Sequence, residues 1–208
     1  MPPLLTEAKI EKTRARIVRV AEHQAVALGL ERVSMHSIAK EFGWSATALY
    51  RYFEDKDAIL AAARAAGLDR FSAALDEALE GPGDIWDRSR AIGNAYVTFA
   101  FENPDAYKLM FAVSQPDMER YPEVARAQAR ARAHMTRYVT LMVEEGGLDA
   151  DPVVLGHLFW AGMHGLISLR MAGQLRPDSP DFEVLRRELV RSLVRGASPR
   201  AAIKQEEA

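Results

Sequence analysis

Apolar residues recur along nearly the whole chain at spacings of three and four positions, the period of an α-helix. The first stretch of this kind carries Ile10, Ile17, Ala21, Ala25 and Leu28. The sequence holds no convincing run of alternating β-branched residues, which would indicate a strand. The pattern therefore predicts an all-α protein without a sheet.

Glycine, proline and helix-capping residues divide this pattern into nine predicted helices. Gly29 and Gly43 end the first two, and the third runs from about Ala46 to Tyr52. A long fourth helix begins after Asp55, which suits the N-cap, and stops at a Gly-Pro-Gly break. The later helices begin near Asp84, Asn103-Pro104, Pro122, Asp151-Pro152 and Ser179-Pro180, and end near Glu102, Val113, Gly146-Gly147, Gly173 and Gly196.

We interpret these helices as a three-helix head followed by a helical-bundle body. We place the head in residues 1–56 and the body in residues 57–196, joined through the long fourth helix. The last residues, 197–208, are small and polar, and we expect them to form a disordered tail.

The head contains two short helices around Gly43-Trp44-Ser45, and a glycine-containing turn between short helices is typical of a helix-turn-helix. Gly43 suits the left-handed position after a helix, and Ser45 suits the N-cap of the next one. Leu49 and Phe53 are four residues apart, so they share a face that packs inward. The opposite face carries Ala46, Thr47, Tyr50 and Arg51. Small and hydrogen-bonding side chains of this kind fit the major groove of DNA.

The segment from Ser34 to Leu60 closely resembles the helix-turn-helix of the TetR family of transcriptional regulators. It carries the family's Ile-Ala, Gly-x-Ser, Leu-Tyr-x-Tyr-Phe, Lys and Ile-Leu elements in order. The resemblance implies that Ser34 caps the second helix and touches phosphate, and that Lys56 neutralises a phosphate. It also places at the DNA the residues His36, Ser45, Ala46, Thr47, Tyr50 and Arg51. Trp44 and Ala46 depart from the family pattern, which usually has a small aliphatic and often a longer polar residue there.

The second half of the chain resembles the body of one TetR subgroup that carries a Trp-His-Gly signature. The segments that carry this likeness are Trp160–Leu169 and Glu102–Phe111. The resemblance implies a homodimer formed by the last two helices and an effector cavity among the middle ones. The residues agree, because Gly156, Gly162 and Gly165 permit close helix approach. Apolar area comes from Leu158, Leu169, Phe182, Leu185, Leu189 and Leu193; the alternative is that these stripes pack within one chain.

Aromatic and methionine residues on the middle helices are candidates for an apolar effector pocket. They are Tyr96, Phe99, Phe111, Met135, Tyr138, Met142 and Trp160, with His164 beside them. For each of them the alternative is ordinary core packing. His134, His157 and His164 could begin a metal site, but no thiolate or clustered carboxylate accompanies them, so we expect no metal. Arg126, Arg130 and Arg137 align on one helix face, which could receive an anionic effector or simply be solvated.

Composition narrows the function classes further. The 208 residues contain no cysteine, which excludes disulfides and thiolate metal sites and fits a reducing cytoplasm. Residues 1–56 hold nine Lys and Arg against seven Asp and Glu, while the whole chain has a net charge of −2. This contrast permits a DNA-facing head on an acidic body. We see no signal peptide and no apolar run of the length that spans a membrane.

Together these features predict a ligand-responsive repressor that binds a palindromic operator in double-stranded DNA as a dimer and is released by a small, apolar or amphipathic effector. One alternative is a constitutive DNA-binding regulator or activator without an effector. A helical enzyme is a further alternative, although the sequence has no glycine-rich phosphate loop, nucleophile elbow or paired metal motif. We therefore expect no catalytic residues and no cofactor.

Overall fold

The computed structural model describes residues 6–112, 114 and 116–199. Over these ranges the chain forms nine α-helices and no β-strand, which confirms the all-α prediction. The helices are α1 (Glu7–Leu28), α2 (Met35–Lys40), α3 (Ala46–Leu49), α4 (Lys56–Leu79), α5 (Ile85–Glu102), α6 (Pro104–Met110), α7 (Pro122–Glu144), α8 (Pro152–Met171) and α9 (Phe182–Gly196). A 3₁₀ turn, Leu30–Arg32, follows α1.

Most of the helix boundaries follow the predicted caps, and the exceptions include Asn103 and the start of the last helix. Asp55 and Asp151 accept backbone hydrogen bonds at the starts of α4 and α8, as expected. Asn103 makes no capping bond and instead donates its side-chain amide to the carbonyl of Phe99. The last helix begins at Phe182 rather than beside Ser179-Pro180, because Asp181 caps it by accepting from the amide of Glu183.

Packing divides the described chain into two compact units. The first contains the residues up to Ser72 together with Phe99–Arg130, and the second contains Ala73–Thr98 together with the residues from Ala131 onward. The long helices α4, α5 and α7 therefore contribute residues to both units. The predicted head and body boundary after residue 56 concerns function rather than packing, and it stays a prediction.

The core of the first unit joins the three head helices to the start of α4 and to α6. Its buried members are Ile17, Val18, Ala21, Ala25, Val33, Met35, Ile38, Ala39, Leu49, Phe53, Ile59, Ala63 and Leu109. Burial of aliphatic side chains on this scale is needed because α2 and α3 are too short to be stable alone. The head thus gains its stability from tertiary packing.

The second unit has its own core, formed by Ile85, Val139, Met142, Leu148, Leu155 and Ala197. Ala197, where the disordered tail was expected to begin, is buried, and its carbonyl accepts a 2.7 Å hydrogen bond from the amide of Asp149. The packed chain therefore extends past the end of α9. The remainder of the predicted tail, residues 200–208, lies outside the described residues, as does Val113, near which α6 was expected to end.

Candidate nucleic-acid interface

Ser34 caps α2 through a reciprocal pair of hydrogen bonds with Ser37. The Ser34 hydroxyl accepts from the Ser37 amide at 3.0 Å, and the Ser37 hydroxyl accepts from the Ser34 amide at 2.9 Å. Gln24 of α1 is buried and holds this cap, accepting from the Ser37 hydroxyl and donating to the Ser37 carbonyl. The cap predicted at Ser34 is confirmed. The roles of Ser37 and Gln24 were not predicted, because serine replaces the usual Glu or Gln of a capping box.

The turn between α2 and α3 is a Schellman motif. Gly43 has φ of 65°, its amide bonds the carbonyl of Lys40, and the amide of Trp44 bonds the carbonyl of Ala39. Ser45 was predicted to cap α3, but its side chain makes no capping hydrogen bond. Only its backbone carbonyl engages the helix, accepting from Ala48 at 3.0 Å.

Trp44, the unusual residue of the turn, is part of an aromatic stack. Its ring lies 4.8 Å from that of Phe42 and 5.9 Å from that of Tyr52, nearly parallel to both. The guanidinium of Arg16 covers the Phe42 ring at 5.3 Å. Phe42 precedes α3 and Tyr52 follows it, so the Trp44 ring packs against residues on both sides of this short helix.

The two faces around α3 are arranged as the sequence predicted except at Ala46, which packs against the head core instead of lying on the outward face. Leu49 and Phe53 are buried in the head core. Thr47, Tyr50 and Arg51 are exposed, and 58% of Tyr50 is accessible although its ring is apolar. The helix itself covers only Ala46–Leu49, so Tyr50 and Arg51 lie in the turn that follows rather than within a helix extending to Tyr52.

The other predicted DNA residues also reach the surface to different degrees. Ser34, His36 and Ser45 are exposed, whereas Ala46 and Lys56 are half-buried. Lys56 is the first residue of α4, directly after the capping residue Asp55. Together these eight residues carry hydroxyls, an imidazole, an exposed aromatic ring and two cations, which are the groups that contact phosphates and base edges.

The Asp55 side chain interacts with two residues far away in the sequence, Arg120 and Tyr121, which no sequence pattern indicated. Its carboxylate accepts from the amide of Ala58 at 2.7 Å, pairs with the guanidinium of Arg120, and lies 3.4 Å from the Tyr121 hydroxyl. Burial by itself raises the pKa of Asp55, but the hydrogen bonds from Ala58 and Arg120 outweigh this and lower the pKa below its ordinary value. A separation of 65 residues gives no local pattern from which this pair could have been found.

The predicted effector residues fall in both units. Phe99 and Phe111 lie in the first, where they pack on Phe71 and Tyr107 at ring distances of 5.3 and 4.9 Å. The second unit holds Tyr96, Met135, Tyr138, Met142, Trp160 and His164. Within the second unit, Tyr138 packs on Phe159 and Trp160 packs on His157. Burial raises the pKa of Tyr138 and lowers that of His164, so both side chains are neutral near pH 7.

A cavity of about 280 Å³ lies in the first unit and is lined by none of these eight effector candidates. It opens between the 3₁₀ turn, the start of α4 and the link that precedes α7, to which Pro116, Asp117, Arg120 and Tyr121 belong. Lys56, Arg64 and Arg120 are among the residues that line it. Arg64 is buried and donates to the carbonyl of Ser114 at 2.8 Å.

The structure places acidic side chains next to two of the aligned arginines and next to His134. Arg130 pairs with Asp69 at 3.1 Å and Arg137 with Asp76 at 3.7 Å, so these cations serve ion pairs between α7 and α4. His134 lies 3.6 Å from Asp76. Within the described ranges no three His, Asp or Glu side chains are grouped as metal ligands.

The outer faces of α8 and α9 carry exposed apolar side chains. On α8, Val153, Val154, Leu158 and Leu169 are between 45% and 57% exposed, and on α9 Val184 and Val190 are exposed as well. By length and composition α8 is the one helix of the described chain apolar enough to cross a membrane, contrary to the sequence expectation. One such helix is weak evidence for a span.

The glycines of α8 differ in what they approach. A Cβ on Gly156 would lie 2.4 Å from the carbonyl oxygen of Met135, so this glycine lets α8 contact the α7 backbone. A Cβ on Gly162 would meet the side chain of Leu189 on α9. Gly165 has open space around its Cβ position, so nothing approaches it closely within one chain, and the close approach expected there in a dimer stays a prediction.

A short helix that follows a Schellman turn, buries one face and exposes hydrogen-bonding groups on the other defines a helix-turn-helix DNA-binding protein. Residues 17–63 match the family model for bacterial regulatory proteins of the TetR family. Residues 89–193, about half of the chain, match the tetracycline repressor-like C-terminal domain. The chain belongs to the TetR family of transcriptional regulators, and it is not an enzyme.

Several known proteins are similar to this chain over most of its length. An HTH-type transcriptional regulator of Mycobacterium tuberculosis is 25% identical over 197 residues, covering 81% of this chain and 84% of the relative. A protein of unknown function from Rhodococcus sp. RHA1 is 26% identical with a TM-score of 0.74, covering 89% and 95% of the two chains. The TetR family regulator PfmR from Thermus thermophilus has a TM-score of 0.70 at 24% identity over 86% and 97%, which supports the fold. The Trp-His-Gly subgroup stays a prediction.

Proposed function

We propose that the chain is a cytoplasmic homodimeric repressor that reads a palindromic operator and is released by a small, apolar or amphipathic effector. The observation that carries the DNA-reading part is the exposed face of Thr47, Tyr50 and Arg51 behind the buried Leu49 and Phe53. While the Tyr50 ring is exposed to solvent, the free protein lacks the favourable free energy of burying it. Contact with DNA would bury the ring, and the neighbouring hydroxyl and guanidinium groups could then bond to the DNA.

A four-residue reading helix supplies too few contacts for tight specific binding by one chain. Two heads about one DNA turn apart, roughly 34–36 Å, would bind successive major grooves and require a near-palindrome. The exposed apolar residues of α8 and α9 fit a second copy of the same surface, forming a four-helix interface by two-fold symmetry. The helix α8 is then apolar because a partner chain covers it.

A selection from random duplex DNA followed by a salt series tests the DNA-reading part. The selected sequence should contain two related half-sites, and deletion of one half-site should abolish specific binding at nanomolar protein. Thr47→Ala and Arg51→Ala should relax the preference at particular base pairs, since both side chains can reach base edges. Tight, specific binding to a single half-site would contradict the proposal that the chain binds DNA as a dimer.

For the effector, we propose the second-unit residues as the ligand-contacting set. Tyr138 and Trp160 are half-buried, Met135 and Met142 supply polarisable apolar surface, and neutral His164 adds one polar group. A thermal-shift screen of small apolar and amphipathic compounds tests this set. A hit whose stabilisation survives Tyr138→Ala and Trp160→Ala unchanged would place the ligand elsewhere.

A regulator without an effector is the second candidate, and one observation favours it. Tyr96, Met135 and Met142 are buried, and the 280 Å³ cavity is lined by other residues. Side chains that already fill their surroundings leave less room for a ligand. Failure of any compound to raise the unfolding temperature, combined with operator binding that no compound weakens, would select this candidate.

A further inference from the structure

Two acidic residues stand between predicted DNA contacts in the segment that leads from α3 into α4. Glu54 and Asp55 follow the exposed Arg51 and immediately precede Lys56. The Glu54 side chain is 83% exposed and that of Asp55 is 36% exposed. Carboxylates so close to a phosphate backbone repel it, so tight binding requires that their charge be compensated.

Arg120 supplies that compensation from the link that precedes α7. Its guanidinium pairs with the carboxylate of Asp55 and lies 3.6 Å from that of Glu54. It also covers the ring of the buried Tyr121 at 5.1 Å, while the Tyr121 hydroxyl lies 3.4 Å from Asp55. One cation thus touches both acidic residues, and a packed aromatic ring fixes its position.

We propose that Arg120 is a positioning residue for DNA binding: its positive charge offsets one of the two negative charges of Glu54 and Asp55, and it holds the Asp55 cap at the start of α4, so that Lys56 meets phosphate with less local repulsion. The proposal rests on the DNA-reading function proposed above. In this proposal Arg120 does not itself contact DNA. It acts through Asp55, whose second role is the hydrogen bond to the Ala58 amide that begins α4.

Stability and DNA affinity should separate in variants of Arg120. Its side chain is 43% exposed, and an exposed ion pair contributes little to the free energy of unfolding because solvent screens it. In the complex, by contrast, loss of the cation leaves two unscreened carboxylates beside the phosphates. We expect Arg120→Ala to weaken DNA binding by about fivefold at low salt, the effect of removing one positive charge from the surface. The loss should shrink as salt is added, and Arg120→Lys should retain most of the affinity.

The deciding experiment is a double-mutant cycle measured by fluorescence anisotropy on a duplex that the wild-type chain has selected from a random pool. Glu54→Gln with Asp55→Asn removes both negative charges, and asparagine still serves as an N-cap. In this background Arg120→Ala should cost clearly less affinity than in the wild-type chain, because no carboxylate remains for Arg120 to hold in place. Arg126→Ala is the matched control, because Arg126 is an exposed arginine on the first turns of α7, and it should leave affinity unchanged.

Three results would overturn the proposal. One is the same loss of about fivefold from Arg120→Ala in the Glu54→Gln and Asp55→Asn background. Another is an equal loss in Arg126→Ala, which would reduce the effect to net charge. The third is a fall in unfolding temperature that accounts for the loss of affinity. If the Asp55 variant fails to fold, the cycle with Glu54→Gln alone replaces it, and partial relief of the Arg120→Ala defect is then the expected result. Failure of the wild-type chain to select any duplex would instead contradict the proposed function itself.

Discussion

The residues of the head show how one side-chain type can serve different purposes within a dozen positions. Ser34 and Ser45 each precede a short helix, and both are favourable N-cap residues by type. Only Ser34 makes the capping bond, because Ser37 and the buried Gln24 complete a network around it. The Ser45 side chain is left exposed on the side of the molecule proposed to face DNA.

This difference predicts unequal effects of two serine substitutions on stability. Ser34→Ala removes a cap and should lower the free energy of unfolding by about 1 kcal/mol. Ser45→Ala removes no capping bond and should change it by less than about 0.5 kcal/mol. Urea unfolding of the two variants without DNA measures both values. Equal losses would mean that Ser45 caps α3 after all.

Lys56 and Tyr50 should report on the DNA side of the head. Lys56→Ala should weaken binding to all DNA sequences alike and flatten the dependence of log affinity on log salt by about one phosphate contact. Tyr50→Ala should weaken binding with little loss of stability, since the ring is exposed. Lys108→Ala on α6 is a matched control with an exposed lysine. If both head variants bind with wild-type affinity, the proposed face is the wrong one.

Among the elements, α8 is the one whose environment differs most from face to face. Its inner face meets the α7 backbone at Gly156 and the α9 side chain Leu189 at Gly162. Its outer face exposes aliphatic residues that a monomer would have no reason to retain. One helix therefore carries both an internal packing constraint and the proposed contact with a second chain.

Gly156→Ala should destabilise the second unit. The added methyl would lie 2.4 Å from the Met135 carbonyl oxygen, and backbone atoms on both sides leave no flexible group to yield. Overpacking of this kind costs about 1–3 kcal/mol. Gly93→Ala on α5 is the matched control: its Cβ position has nothing within 4 Å, so the gain in helix propensity should stabilise by about 0.5–1 kcal/mol. Thermal unfolding of both variants decides.

Leu158→Glu should convert the proposed dimer to a monomer. The substitution places a charge in the proposed apolar interface, and an unpaired charge there is costly to bury. Sedimentation or light scattering at micromolar protein measures the mass. Leu28→Glu on α1 is the matched control, because Leu28 is 45% exposed and Leu158 50% exposed. A dimer that survives Leu158→Glu, with its helix content intact, would move the interface away from the exposed face of α8.

For the whole molecule, α4 is the element through which we expect the two sites to communicate. It begins at Lys56, directly after the segment proposed to face DNA, and continues without interruption to Leu79. A continuous helix transmits a displacement over its length, and a shift between two packed positions suffices for switching. A rigid α4 with control only through protein abundance is the alternative.

Thermodynamic linkage makes this communication measurable from both ends. A coupling of about 1–3 kcal/mol would lower operator affinity roughly 5–150-fold at saturating effector. Operator DNA at saturation must then lower effector affinity by the same factor. Titration of each ligand in the presence of the other gives both numbers. An effector that binds and changes neither affinity would leave α4 as a structural support.

The sequence by itself determined the helical fold, most helix ends and which side chains of the head are buried and which are exposed. These features depend on local rules: the 3.6-residue period selects the buried face, and Gly43, Asp55 and Asp151 set helix ends through their own backbone or side-chain bonds. The start of α9 was misplaced for an equally local reason, since two neighbouring capping signals compete and only Asp181 forms the bond.

Tertiary structure alone decided which distant groups meet. The pairing of Arg120 with Asp55, the buried Gln24 beside Ser37, and the contact of Gly156 with α7 join residues that no periodicity relates. Each depends on how helices pack, and packing is set by the combined shapes of many side chains rather than by any short motif. The exposure of the outer face of α8 likewise became visible only in the folded chain. Apolar residues in a sequence do not show whether a helix face is buried in the core or exposed at the surface.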